Sequence, residues 1–195
     1  MRQFWTTAVL SSALIASAPL AAQAASFTFS GPLSGAQEIP VPNNSPATGS
    51  FLATLTGEPE QWTFNYEVSF QNFTGLFRDA HIHLGSRGVA GPVVHRLDGV
   101  ASLATANVNS GTLVGDWTSA ELPATVTPAT VFQRFLDGQY YFNVHSTTFP
   151  AGEIRGQIEN PVDSTAVAEP ATALGLFVAG AIGAAARRKK AKQVA

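Results

Sequence analysis

Histidine is the side chain whose ordinary pKa suits it to chemistry near neutral pH, and this chain holds four: His81, His83, His95 and His145. Three of them fall within fifteen residues. A neutral imidazole offers one nitrogen lone pair, and several imidazoles brought together suit copper or zinc. On a strand, His81 and His83 project from one face while Ala80, Ile82 and Leu84 take the other. In the run from Gln139 to His145, Tyr140, Phe142 and Val144 form an apolar face and leave His145 opposite, with Tyr141 and Asn143. If those two strands are neighbours, His81, His83 and His145 converge at a mononuclear copper or zinc site, with His95 as a further candidate ligand. The competing reading is that these imidazoles hydrogen-bond to buried loops, with Asp79 or Glu153 as partners.

Other chemistries find less support. Cysteine is absent, which excludes thiolate ligands, thiol nucleophiles and disulfides. No Gly-x-Ser-x-Gly turn is present to carry a serine nucleophile, and no motif singles out two carboxylates for glycoside hydrolysis. The loop Gly85 to Gly91 is rich in glycine, but no helix follows to supply the amides that hold a phosphate. Glu153 and Arg155 share a strand face and are expected to pair with each other or with neighbours. No catalytic residue is assigned.

Short alternating runs broken by Gly, Pro, Asn and Ser must position the histidines. From Phe27 to Glu159 they predict an all-β, Greek-key-like antiparallel sandwich. Eight strands are expected: Phe27 to Ser30, Gly49 to Leu55, Gln61 to Phe70, Ala80 to Leu84, Val93 to Leu97, Gly111 to Thr118, Gln139 to His145 and Glu153 to Ile158. In the third, Trp62, Phe64, Tyr66, Val68 and Phe70 alternate with polar residues, as a half-buried strand requires. One short helix is expected, with Thr127 as N-cap, Pro128 at its first turn and Gly138 as its stop.

The ends have another character. Arg2, the apolar run from Phe4 to Ala22 and the small-x-small triplet Ala22-Gln23-Ala24 predict a signal peptide over residues 1–24, cut by signal peptidase. From Asp163 a polar linker leads to Glu169-Pro170, an apolar stretch from Ala171 to Ala186, and basic residues beginning Arg187-Arg188 and reaching Lys192. The apolar stretch at helical rise covers about 24 Å, close to the hydrocarbon core of a bilayer. It predicts a C-terminal helix that holds the chain in the membrane before processing. Residues 25–162 are then one domain, of a size that buries a single core. Between Ala25 and Thr165 only Arg78, Arg87, Arg96, Arg134 and Arg155 stand against twelve acids, a net charge of −7 with histidines neutral. Nucleic acid is excluded as a partner, because phosphate binding needs clustered Lys and Arg.

The tail resembles the PEP-CTERM sorting signal in the order of Glu169-Pro170, the apolar helix and the basic cluster at Arg187 and Arg188. Ala168 stands where that signal usually has a proline. The resemblance implies processing by an exosortase-type enzyme at the envelope of a bacterium. The domain resembles the CHRD family in four stretches: Leu33 to Pro40, Ala80 to Gly85, Gly91 to His95, and Asn143-Val144-His145 leading to Gly152-Glu153-Ile154-Arg155-Gly156. That family carries no settled reaction. The order His-x-His, a single His and a distant His also resembles the copper ligands of copper/zinc superoxide dismutases, although their disulfide cysteines are missing here.

Two readings of function follow. One is an exported structural or binding module of the cell envelope, outer surface or extracellular matrix, with surface proteins or an extracellular polysaccharide as partner. The other is a histidine-ligated copper or zinc protein, open to redox chemistry. In either, removal of Arg187 to Ala195 is expected to leave the domain folded and to redistribute the protein away from the envelope, as cell fractionation would show.

Overall fold

The computed structural model describes residues 24–164; the expected signal peptide, the sorting motif, the apolar stretch and the basic cluster lie outside the described residues. The strands are β1 (Ala25–Ser34), β2 (Thr48–Glu58), β3 (Gln61–Gln71), β4 (Phe77–Leu84), β5 (Val93–Arg96), β6 (Gly111–Thr118), β7 (Tyr140–Ser146), β8 (Ile154–Ile158) and β9 (Val162–Asp163). Two helices accompany them, α1 (Val100–Ala106) and α2 (Pro128–Leu136). All eight expected strands are present, with β1 longer than expected. The short β9 and the helix α1 are additions. Helix α1 is flanked by Gly99 and Asn107, both left-handed, without a side-chain cap bond. Among the described residues no helix is long and apolar enough to cross a membrane.

The strands run antiparallel in the order β5-β4-β7-β8-β1-β2-β3-β6, with β9 beside β1. Strands β1, β2 and β3 form a meander in continuous register, from Ala25 opposite Gly57 to Glu58 opposite Gln61. Strands β8 and β1 meet at one register pair, Ser34 and Arg155. This narrow junction folds the path into two facing halves, β5-β4-β7-β8 and β1-β2-β3-β6. The result is a nearly closed sandwich.

Aromatic side chains fill the space between the halves. Trp62, Phe64, Tyr66, Val68 and Phe70 are all buried, as the alternation in β3 requires. Helix α2 closes one end: Phe135 is fully buried, stacks on Phe64 at 4.2 Å between ring centroids and meets Tyr140 at 4.6 Å. The indole of Trp62 donates to the carbonyl of Pro128 and so ties the helix to β3. At the other end Phe70 packs against Phe73 and Phe77. With no disulfide, burial of these rings is the principal favourable term holding the halves together.

Phe135→Ala removes the ring that most of the α2 end packs against. A loss of about 3 to 5 kcal/mol is expected, the usual cost of truncating a buried aromatic, measurable as a lowered midpoint in urea with the slope unchanged.

Candidate metal centre

Alternation along β4 sends Ala80 and Ile82 into the core, both fully buried, and turns Asp79, His81 and His83 to the opposite face. Strand β7 does the same with Phe142 and Val144 against Tyr141, Asn143 and His145. The strands are neighbours, with Asp79 opposite His145, His81 opposite Asn143, and His83 opposite Tyr141. His81, His83 and His145 each offer one ring nitrogen, and the three nitrogens lie within 4.8 Å of one another. The fold thus brings these three histidines together.

His95 is elsewhere. It pairs with Ile82 across β4 and β5, which turns its ring toward the core. There it stacks on Trp117 at 5.2 Å, its Nε2 is 3.4 Å from the Tyr66 hydroxyl, and its Nδ1 is 3.9 Å from the Glu121 carboxylate. It cannot join the other three, because the sheet lies between.

The hydrogen bonds around the three rings limit where their protons sit. His145 Nδ1 is 3.2 Å from the carbonyl of Pro150. A carbonyl only accepts, so Nδ1 carries the proton and Nε2 is bare. His83 Nδ1 is 2.9 Å from the carbonyl of Gly91, which leaves its Nε2 bare; that atom is buried without a hydrogen-bond partner. His81 Nε2 is 3.3 Å from the carboxylate of Asp79, so its proton has an acceptor on that side, and a proton held there leaves Nδ1 bare. His81 Nδ1 and His145 Nε2 stand 3.2 Å apart. With the proton of His81 on Nδ1 the two form a neutral hydrogen bond; with it on Nε2, toward Asp79, two lone pairs face each other and suit a metal ion.

Protonation of these rings to imidazolium is disfavoured. Burial pushes the pKa of His145 down to about 4, and the nearby His81 and His83 push the same way. Burial also lowers the pKa of His81 against the pull of Asp79, and that of His83 against its bond to Gly91. Asp79 itself lies below the ordinary carboxylate range: burial opposes this, but the Arg96 guanidinium, 3.0 Å away, and His81 prevail. The surroundings therefore favour neutral imidazoles with an ionised carboxylate behind one of them, the arrangement that orients metal-bound histidines.

Loops hold the arrangement in place. The glycine-rich segment between β4 and β5 brings the Gly91 carbonyl to His83 and the Gly91 amide to the Tyr141 hydroxyl. A Cβ at Gly91 would lie 1.6 Å from the Leu84 carbonyl oxygen, so only glycine fits there. Tyr141 stacks on His83 at 4.9 Å, and the Arg155 guanidinium lies 3.5 Å over the Tyr141 ring. Asp79 can be named from its spacing to His81. Gly91, Pro150 and Arg96 cannot, since they act from loops or an edge strand.

Of the two pairings expected for Glu153 and Arg155, with each other or with neighbours, the structure shows the second. Glu153 accepts from the Ser45 hydroxyl at 2.5 Å and the Thr74 amide at 2.8 Å. Arg155 donates to the carbonyls of Val89 and Ser86 and to Gln157. Glu153 does not touch a histidine. These bonds fasten the segment between β1 and β2, and the glycine-rich loop, over β7 and β8.

A family model described as the CHRD domain matches residues 29–158, and one described as the PEP-CTERM protein-sorting motif matches residues 166–190. No curated protein and no solved structure matches the chain.

Glu38 secures the same covering segment by accepting from the Asn143 amide at 3.3 Å. Burial pushes its pKa up to about 7, against the lowering effects of Asn143 and Arg155. Because the folded value lies above the unfolded one, the native state binds the extra proton between them. The resulting stabilisation is complete below about pH 4.5 and is lost as pH rises through about 7. Comparing the wild type with Glu38→Gln in denaturant titrations from pH 4 to 8 isolates this contribution. The wild type is expected to lose on the order of 3 kcal/mol more across that range than the variant.

Proposed function

This chain belongs to the CHRD domain family and is sorted to the bacterial cell surface or envelope through its PEP-CTERM signal, and from that premise we propose that its domain is a surface-held metal-binding module. The signal implies processing by an exosortase-type enzyme. The mature domain spans residues 25–162 and starts at the signal peptidase cut. Residues 163–195 are linker and sorting tail, with the apolar helix 171–186 holding the chain in the membrane until it is processed.

The observation that carries the metal reading is the convergence of three imidazole nitrogens within 4.8 Å, with His81 Nδ1 and His145 Nε2 3.2 Å apart. Adjacent nitrogens of a tetrahedral zinc site stand about 3.3 Å apart, given metal–nitrogen bonds near 2.0 Å. His83 Nε2 would supply the third ligand. Three imidazoles suit zinc or copper. Copper would add redox chemistry; zinc would polarise a bound water.

A second reading treats the domain as a structural or adhesive module. It is favoured by the bonds from His83 and His145 to loop carbonyls, which give those rings a fastening role without an ion.

Metal analysis of the purified full chain separates the two. Stoichiometric copper or zinc binding is expected in the wild type and in His95→Ala, and its loss in the variant with His81, His83 and His145 all changed to Ala. Absence of binding in the wild type would leave the structural module standing.

Asp79→Asn offers a finer test, because it keeps the shape and removes the charge that favours a His81 proton on Nε2. Affinity is expected to fall about 10- to 100-fold, as for other partners of metal-bound histidines, in a competition titration against a chromogenic chelator.

A further inference from the structure

Arg155 is 3% exposed, and no carboxylate of the described residues comes within ion-pair distance of it. Its guanidinium is held by two loop carbonyls, Gln157 and the Tyr141 ring. Such partners satisfy hydrogen bonds, and the buried Glu38 acts on the charge only from beyond ion-pair distance, which leaves a buried charge short of a direct counter-ion. In a domain of net charge −7 with five basic side chains, this position is exceptional.

Arg155 lines a cavity of about 190 Å³ together with Gln37, Arg87 and Gln157. A second cavity of about 260 Å³ shares Gln37, Arg87 and Gln157, and adds Ser30, Glu159 and Asn160. Arg87 stands between them, its side chain 61% exposed and paired with Glu159. Two of the five arginines of the domain therefore border a depression formed by two adjoining cavities, which lies beyond Tyr141 from the histidines.

Its uncharged polar groups stand among Pro32, Ala36 and Ile39. The side chains of Ser30 and Asn160 bond to no other described residue, and Gln37 spends its amide nitrogen on Pro32 and Ser34, leaving its carbonyl oxygen open. Guanidinium groups match a carboxylate in fork geometry, and hydroxyl, amide and carbonyl groups match sugar hydroxyls. We propose that this depression binds a carboxylated sugar, the uronic-acid unit of an acidic saccharide, with its carboxylate between Arg87 and Arg155 and its hydroxyls on Ser30, Gln37 and Asn160. The pair Arg87–Glu159 opens on binding, so Glu159 competes with the ligand for Arg87. This assignment is independent of the metal reading.

The test is calorimetric titration of the full chain with tetragalacturonate, its methyl ester and inorganic phosphate, with a chelator present to keep the histidine site out of the measurement. The uronate is expected to bind, and the ester about tenfold more weakly because the charge-assisted bonds are gone. Arg87→Ala should weaken uronate binding by a similar factor, while Glu159→Gln should tighten it several-fold by freeing Arg87. No binding, equal binding of the ester, or affinities unmoved in both variants would overturn the proposal. Displacement of the uronate by phosphate at equal concentration would overturn the sugar assignment, since it would reduce the site to a general anion pocket. Thermal melts of both variants matching the wild type would exclude loss of fold as the cause.

Discussion

A buried imidazole must direct its one proton to a fixed acceptor, and the chemistry available to this domain follows from that requirement. The carbonyls of Gly91 and Pro150 and the carboxylate of Asp79 stand on the outer sides of the three rings. Protons held on those sides leave the lone pairs facing inward. The backbone carbonyls are set by the path of two loops, so the arrangement exists only when those loops are seated. Function at this face is thus coupled to loop packing more closely than to the strands that carry the histidines.

The loops are seated by polar contacts, and this distinguishes the two faces of the β4-β7-β8 half. Its inner face is aromatic and aliphatic, and its burial follows from the hydrophobic effect. Its outer face is buried as well, although it carries Asn143, His145, Arg155 and Gln157. Gln157 alone donates to the carbonyls of Gly85, Gly138 and Tyr140. Such a face is stable only if nearly every donor and acceptor finds a partner. The atoms without one are Glu38 Oε1, His83 Nε2, Asn143 Oδ1 and Glu153 Oε2, all on this face or the segment that covers it.

Strand alternation makes the architecture, and the side of the strand that His81, His83 and His145 take, legible in the amino-acid order alone. Trp62 to Phe70 marks β3, and Thr127-Pro128 marks α2, because both signals are local. The neighbourhood of β4 and β7 is not legible in this way, since pairing between strands some sixty residues apart leaves no mark in either one. His95 falls outside its expected group for a related reason: its proximity in the chain to His81 and His83 says nothing about the turn that sends it to the other side of the sheet. Spacing left open whether Glu153 and Arg155 would pair with each other or with neighbours, and the covering loops, whose positions no local signal marks, supply the neighbours. Helix α1 escapes a reading of the sequence because its N-cap is Gly99, which has no side chain to form a cap bond.

The position of β9 sets how the anchored domain is presented. β9 pairs with β1 at Phe27 and Thr28, and the Ser164 amide donates to the Ser26 carbonyl, so the domain's chain enters and leaves side by side. Phe27 also packs on Phe132 of α2, and Tyr140 at the start of β7 meets Phe135 of the same helix. His145 lies five residues further along β7, about 17 Å at strand rise. A tether leaving from Ser164 therefore grips the domain at its helix-capped end and holds His145 at the opposite one. The two register pairs of β9 are thus the last strand contacts of the domain before the sorting motif that begins at residue 166.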